Sequence, residues 1–131
     1  MPGPAAGAQT QRRPQGFPIR LRLTRAADFE AVFKQGRRSA DRLFTVLYRP
    51  SGLEHSRLGM TASAKRVRTA VARNRIRRLV RESFRQDAIR DQGLDIVVLV
   101  RDPAASAANA AISTSLAAHW DRMRRNAVAP A

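Results

Sequence analysis

The sequence predicts a small α+β sandwich, with helices packed against a sheet of about three or four strands in the order α-β-β-α-β-α. Three observations carry this reading. The stretch 69–91 has neither Gly nor Pro and repeats its apolar residues at helical spacing. The run Ile96-Val97-Val98-Leu99-Val100 is apolar at both parities, as an interior strand must be. Segment 43–48 is rich in β-branched and aromatic residues and ends at a turn signal, and a second strand follows over 57–63. At 131 residues, one core is expected.

Taken in order, Thr24 offers an N-cap for a first helix in which Phe29, Val32 and Phe33 recur at helical spacing, and Gly36 stands where that helix would stop. The strand Leu43-Phe44-Thr45-Val46-Leu47-Tyr48 ends at the turn Pro50-Ser51-Gly52. A second strand follows over 57–63, and the short loop between them favours antiparallel pairing of the two. In the long helix, Ala72, Ile76, Leu79 and Ser83 form a stripe flanked by Val80 and Phe84, and the helix closes near Gly93. Asp102-Pro103 is a helix start, and 104–125 continues as an Ala-rich helix presenting Ala105, Ile112, Leu116, Trp120 and Met123 to the core. Residues 1–18 are expected to be a disordered basic tail, 19–126 a single α-β domain, and 127–131 a disordered C-terminal tail.

Charge narrows the function. With 25 Lys and Arg against 10 Asp and Glu, the net charge is +15 and the pI about 12.0, a repulsion usually relieved by a polyanion, so RNA or DNA is the expected partner class. No Cys is present, and two His cannot build a metal cage, so no metal site of the chain's own is expected. His55 and His119 read as structural or solvent-exposed residues. The carboxylates are scattered, and neither a nucleophile elbow nor a Gly-Lys phosphate loop occurs, so no catalytic residue is expected. No apolar run approaches the roughly 20 residues of a membrane span.

The most informative stretch is 65–85, where nine of 21 residues are basic and only Glu82 is acidic. Arg73, Arg77, Arg81 and Arg85 are four apart, with Arg75 and Arg78 beside them. Solvated helix faces usually alternate sign, so this face is read as a phosphate-binding one. Asn74, between two arginines, can donate to a phosphate or a nucleotide edge. Phe29 and Phe33 fit either core packing or a stacking platform for single-stranded bases, and both readings stand at this point.

These residues resemble a known family, the protein subunit of bacterial ribonuclease P. The resemblance spans about 20–125. It rests on Arg22-Leu23-Thr24 with Asp28-Phe29-Glu30-Ala31-Val32-Phe33, on Arg57-Leu58-Gly59-Met60-Thr61, on Lys65 with Arg73-Asn74-Arg75-Ile76-Arg77-Arg78 and Arg81-Glu82-Ser83-Phe84-Arg85, and on Leu94-Asp95-Ile96-Val97-Val98. It implies a left-handed β-α-β crossover and a cytoplasmic ribonucleoprotein that removes the 5′ leader from precursor tRNA. The RNA subunit would do the chemistry with Mg²⁺ held mainly by that RNA and the substrate. It further implies that Lys65, Arg66, Arg68, Arg73, Asn74, Arg75, Arg77, Arg78 and Arg81 face the RNA subunit. Phe29, Phe33, Thr45 and Leu47 would line a cleft for the leader, and neither DNA nor membrane is an expected partner. Two positions depart from the family pattern: Ala64-Lys65 stands where many members carry paired lysines, and Leu47 where some carry an aromatic residue. A ribosomal RNA-binding protein would share the size, charge and fold, and the order of the motifs decides against it.

Overall fold

The computed structural model describes residues 17–62 and 67–128. Four strands, β1 (Arg37–Ala40), β2 (Phe44–Pro50), β3 (Arg57–Thr61) and β4 (Leu94–Val100), form one sheet in the order β1-β2-β4-β3. The helices are α1 (Ala26–Gln35), α2 (Ala70–Gln86) and α3 (Asn109–Val128). The expected α-β-β-α-β-α order is present, with the short edge strand β1 added.

The expected pairing of the first two long strands is corrected. β4 lies between them, antiparallel to β2 and parallel to β3, with Val46 opposite Val98 and Gly59 opposite Val97. A strand apolar on both faces gains most from two neighbours, so β4 takes the interior and β2 and β3 are separated. The connection through α2 is therefore a β-α-β unit between adjacent parallel strands.

Strand parity divides the apolar residues between two layers. Phe44, Val46, Tyr48, Ile96, Val98 and Val100 face the main core with Ile76, Val80 and Phe84 of α2 and Ile112, Leu116, Trp120 and Met123 of α3. Each fully buried side chain of this size contributes about 1.5–3 kcal/mol. The opposite parity presents Leu47, Val97 and Leu99 to a smaller layer built with Leu23, Phe29 and Val32.

Several element boundaries shift from expectation. α1 begins at Ala26 with Arg25 as N-cap and no side-chain cap, so Thr24 does not serve. α2 is capped by Thr69, whose hydroxyl accepts from Ala72 N at 3.1 Å, and it buries Ile76, Val80 and Phe84, while Leu79 and Ser83 are only partly covered. It ends at Asp87, whose carboxylate caps a 3-10 turn, Ala88–Asp91. Gly93 then turns the chain into β4 at φ 67°, and a Cβ there would lie 2.7 Å from Leu53 O. Asp102-Pro103 opens a 3-10 turn, Asp102–Ser106, and α3 begins only at Asn109. Phe17, expected in the tail, is buried edge-on against Phe84 at 5.8 Å between centroids, because a large apolar ring beside the core gains more from burial than the chain loses in freedom. Residues 1–16, 63–66 and 129–131 lie outside the described residues, and α3 runs through 127 and 128.

At the β1 edge, a polar cluster ties α3 to the sheet. His119 is fully buried and its Nδ1 lies 2.7 Å from Ser39 Oγ. Arg122 donates to the same oxygen, and the other ring nitrogen, Nε2, lies on the Asp41 side. That Nε2 stands 3.1 Å from Asp41 Oδ2, at ion-pair distance without an aligned hydrogen bond. Asp41 also accepts from the Ser115 hydroxyl and from the amides of Leu43 and Phe44.

Candidate nucleic-acid interface

The basic character of α2 survives folding. Among the described residues none of Arg73, Arg75, Arg77, Arg78, Arg81 and Arg85 forms an ion pair, whereas Arg57, Arg90, Arg124 and Arg125 do. The apolar stripe Ile76-Val80-Phe84 faces inward every fourth residue, which forces the arginines onto the remaining circumference. A helix six times positive and once negative there carries a potential that only an external anion can balance.

Within this face the arginines differ. Arg68 and Arg78 are exposed. Arg73 donates from Nη1 to Val67 O at 2.8 Å, which shapes the approach to the helix. Arg75 donates to Asn109 Oδ1 at 2.5 Å and to Ala105 O at 3.3 Å. The middle of the Arg-Asn-Arg segment, Asn74, is exposed and accepts from Arg77 Nη1 at 3.2 Å. The side chains of Arg73 and Arg75 therefore tie neighbouring segments together as well as lying on the basic face. Lys65 and Arg66 fall outside the described residues.

The second candidate surface lies on the α1 side of the sheet. Arg57 joins three elements there: a bidentate pair to Asp95 at 2.8 Å, and Asp28 of α1 at 3.4 Å. α1 packs on β2 and β4, and Val32 is fully buried beneath it. Phe29 is half-buried, its Cζ 2.5 Å from where a Cβ on Gly59 would sit, so this ring belongs to the packing of the cleft floor. Phe33, one turn on, is 49% exposed. Thr45 and Leu47 share the α1-facing parity, opposite Leu99 and Val97; Thr45 is buried and Leu47 half-buried. An aromatic ring, a shallow apolar floor and nearby guanidinium groups suit an unpaired RNA strand.

Two cavities connect the surfaces. One, of about 450 Å³, is lined by Phe17, Arg22, Asn74, Arg77 and Arg81, among others. The other, of about 190 Å³, shares Phe17, Arg22, Arg77 and Arg81 and continues to Phe29 and Gly59. Phe17 and Arg22 escape the sequence reading as site residues, although the apolar triplet Phe17-Pro18-Ile19 just before Arg22 signals an anchored segment. Among the described residues no three His, Cys, Asp or Glu converge as a metal site, and no helix is long and apolar enough to cross a membrane.

Comparison with known proteins supplies the frame. A family model described as Ribonuclease P matches residues 17–124. The ribonuclease P protein component of Methylococcus capsulatus is 47% identical over 105 residues, covering 80% of this chain and 82% of that protein. That of Thioalkalivibrio sulfidiphilus is 42% identical, covering 83% and 91%. The solved structure of the Staphylococcus aureus RNase P protein superposes with a TM-score of 0.69 at 33% identity, covering 79% of this chain and 94% of that one.

Proposed function

The chain belongs to the ribonuclease P protein family, the protein component of a tRNA-processing endoribonuclease, and we propose that it acts there by holding two RNAs at once. The α2 face, with Arg68, Arg73, Asn74, Arg75, Arg77, Arg78 and Arg81, binds the RNA subunit, and Lys65 and Arg66 extend that contact. The cleft with Phe33 at its rim and Phe29, Thr45 and Leu47 in its floor and wall receives the single-stranded 5′ leader of precursor tRNA. The observation that carries the reading is the row of α2 arginines without a carboxylate partner among the described residues. It abuts the cavity that Phe29 walls, one helical turn from the exposed Phe33 ring.

In this division of labour the protein positions and the RNA subunit cleaves. Mg²⁺, held in this reading mainly by the RNA subunit and the substrate, would supply the polarisation of the phosphodiester and the activation of water. The protein's arginines offset phosphate repulsion between the two RNAs. Its place of action is the cytoplasm, where precursor tRNA is made.

Reconstitution tests this. The nuclease-free protein alone is expected to leave precursor tRNA intact, whereas protein, RNA subunit and Mg²⁺ together should give accurate 5′ maturation. Cleavage by the protein without RNA would overturn the assignment.

A further inference from the structure

We propose that Arg22, Arg77 and Arg81, gathered around the Phe17 ring, form a socket for one phosphodiester of the precursor-tRNA leader, at the junction of the Phe29 cleft and the α2 face. This rests on the assignment of the cleft to the leader.

The backbone of Arg22 is fixed. It bridges Leu58 alongside β3, and Leu23 N donates to Leu58 O at 2.9 Å. Arg22 Nε donates to Phe17 O at 3.1 Å, so the side chain is aimed while both Nη groups stay without a protein acceptor among the described residues. Arg81 lies over the Phe17 ring, 5.7 Å from its centroid. Arg77 spends one Nη on Asn74 and keeps the other. All three are half-buried, and none has an ion pair among the described residues. Glu82 lines the same cavity without pairing to any of them.

Such a cluster is costly in the free protein. Burial pushes the Arg81 guanidinium below its ordinary value, and the charges of Arg22 and Arg77 push it further the same way. A phosphodiester placed among them would relieve that repulsion and offer acceptors to several guanidinium forks. Arg77 and Arg81 also wall the Phe29 cavity, so a strand lying over Phe29 and running toward α2 passes the socket before it reaches the exposed arginines. That continuity assigns the phosphate to the leader rather than to the RNA subunit.

The test uses the reconstituted holoenzyme with Arg22→Gln and Arg22→Lys. It reads the precursor-to-mature tRNA affinity ratio across a salt series, beside the affinity of each variant for the RNA subunit. Arg22→Gln should lower the ratio about tenfold, as loss of a charged hydrogen bond does, and reduce the salt slope by about 0.7. Arg22→Lys should restore the slope and only part of the ratio. Subunit affinity should hold in both. A fall in subunit affinity at an unchanged ratio would assign the phosphate to the RNA subunit, and no change in either would reduce the cluster to packing around Phe17; each result overturns the proposal. Should Arg22→Gln loosen Phe17 in a melt, Arg81→Gln decides the matter on the precursor-to-mature ratio alone, because Arg81 also belongs to the α2 face and its subunit affinity is expected to fall; an unchanged ratio overturns the proposal. If the wild-type holoenzyme itself shows no preference for precursor over mature tRNA, the cleft assignment fails first, and the socket with it.

Discussion

The Phe29 ring fills the space that Gly59 leaves empty: its Cζ and Cε1 stand 2.5 and 2.7 Å from the position a Cβ would take, with Leu23 Cβ at 3.2 Å. Glycine on β3 thus lets a helix side chain rest on the sheet, and the depth of the cleft is set by the absence of a methyl group. Gly59→Ala should push Phe29 outward and destabilise the protein by about 1–3 kcal/mol, as overpacking does. A urea melt measures this. In a double-mutant cycle, Phe29→Leu should recover part of the loss, because the two changes share one contact; strictly additive losses would show that the ring does not rest there.

On the α2 face, the exposed arginines separate RNA binding from folding more cleanly than those of the Arg-Asn-Arg segment. Arg68→Ala and Arg78→Ala should leave stability within about 0.5 kcal/mol and each reduce the salt slope of RNA-subunit binding by about 0.7–0.9. Arg75→Ala should do both kinds of damage, because it also removes the bonds to Asn109 and Ala105 that tie α2 to the start of α3. A loss of about 0.5–1.5 kcal/mol of stability is expected. Equal stability for Arg75→Ala and Arg78→Ala would remove the structural role of Arg75.

The β1 edge predicts a pH dependence. Burial holds the His119 imidazole below its ordinary value of 6.5, against the pull of Asp41 and with the help of Arg122. Burial would raise Asp41, but the Ser115 hydroxyl, the Phe44 amide, His119 and the Leu43 amide outweigh it and hold the carboxyl below 3.8. Both groups bind protons less readily folded than unfolded, so both lose stability on acidification. The His119 contribution is intact above its unfolded value and declines as pH falls below about 6.5 toward its folded value; that of Asp41 declines only below about 3.8. Urea midpoints between pH 7.5 and 5 should therefore fall in the wild type, and His119→Gln should flatten that part of the profile. A variant profile parallel to the wild type would clear His119 of the effect.

The same edge shows why part of the fold is hard to read in the sequence. Arg37-Arg38-Ser39-Ala40 carries no apolar alternation, because its one inward residue, Ser39, is held by His119 and Arg122 rather than by burial of carbon. Strand signals that rest on hydrophobic period miss such a segment. Pairing is hidden for a different reason: the loop before Arg57 permits a hairpin, and only the two-faced apolar run of β4 shows that another strand must intervene. The long helix is legible because Ile76, Val80 and Phe84 repeat at fixed spacing over an unbroken run. Its arginines are legible for the same reason, yet the bonds that Arg73 and Arg75 make to Val67 and Asn109 depend on neighbours that lie together only in the folded chain.

Phe33 and Phe29 are four residues apart, and the structure sets them in different roles. Phe33 is 49% exposed, so Phe33→Ala removes little buried surface and should cost well under the about 3–5 kcal/mol of a buried phenylalanine. If its ring stacks on a leader base, the same change should weaken precursor tRNA relative to mature tRNA by about 1–3 kcal/mol in the holoenzyme. Phe29→Ala should behave oppositely: a clear fall in the urea midpoint of the free protein, because its ring is packed against Gly59 and Leu23. The decisive comparison is the precursor-to-mature affinity ratio for each variant beside its melt. An unchanged ratio for Phe33→Ala together with a large drop in its midpoint would place Phe33 in the core and leave the cleft without its stacking ring.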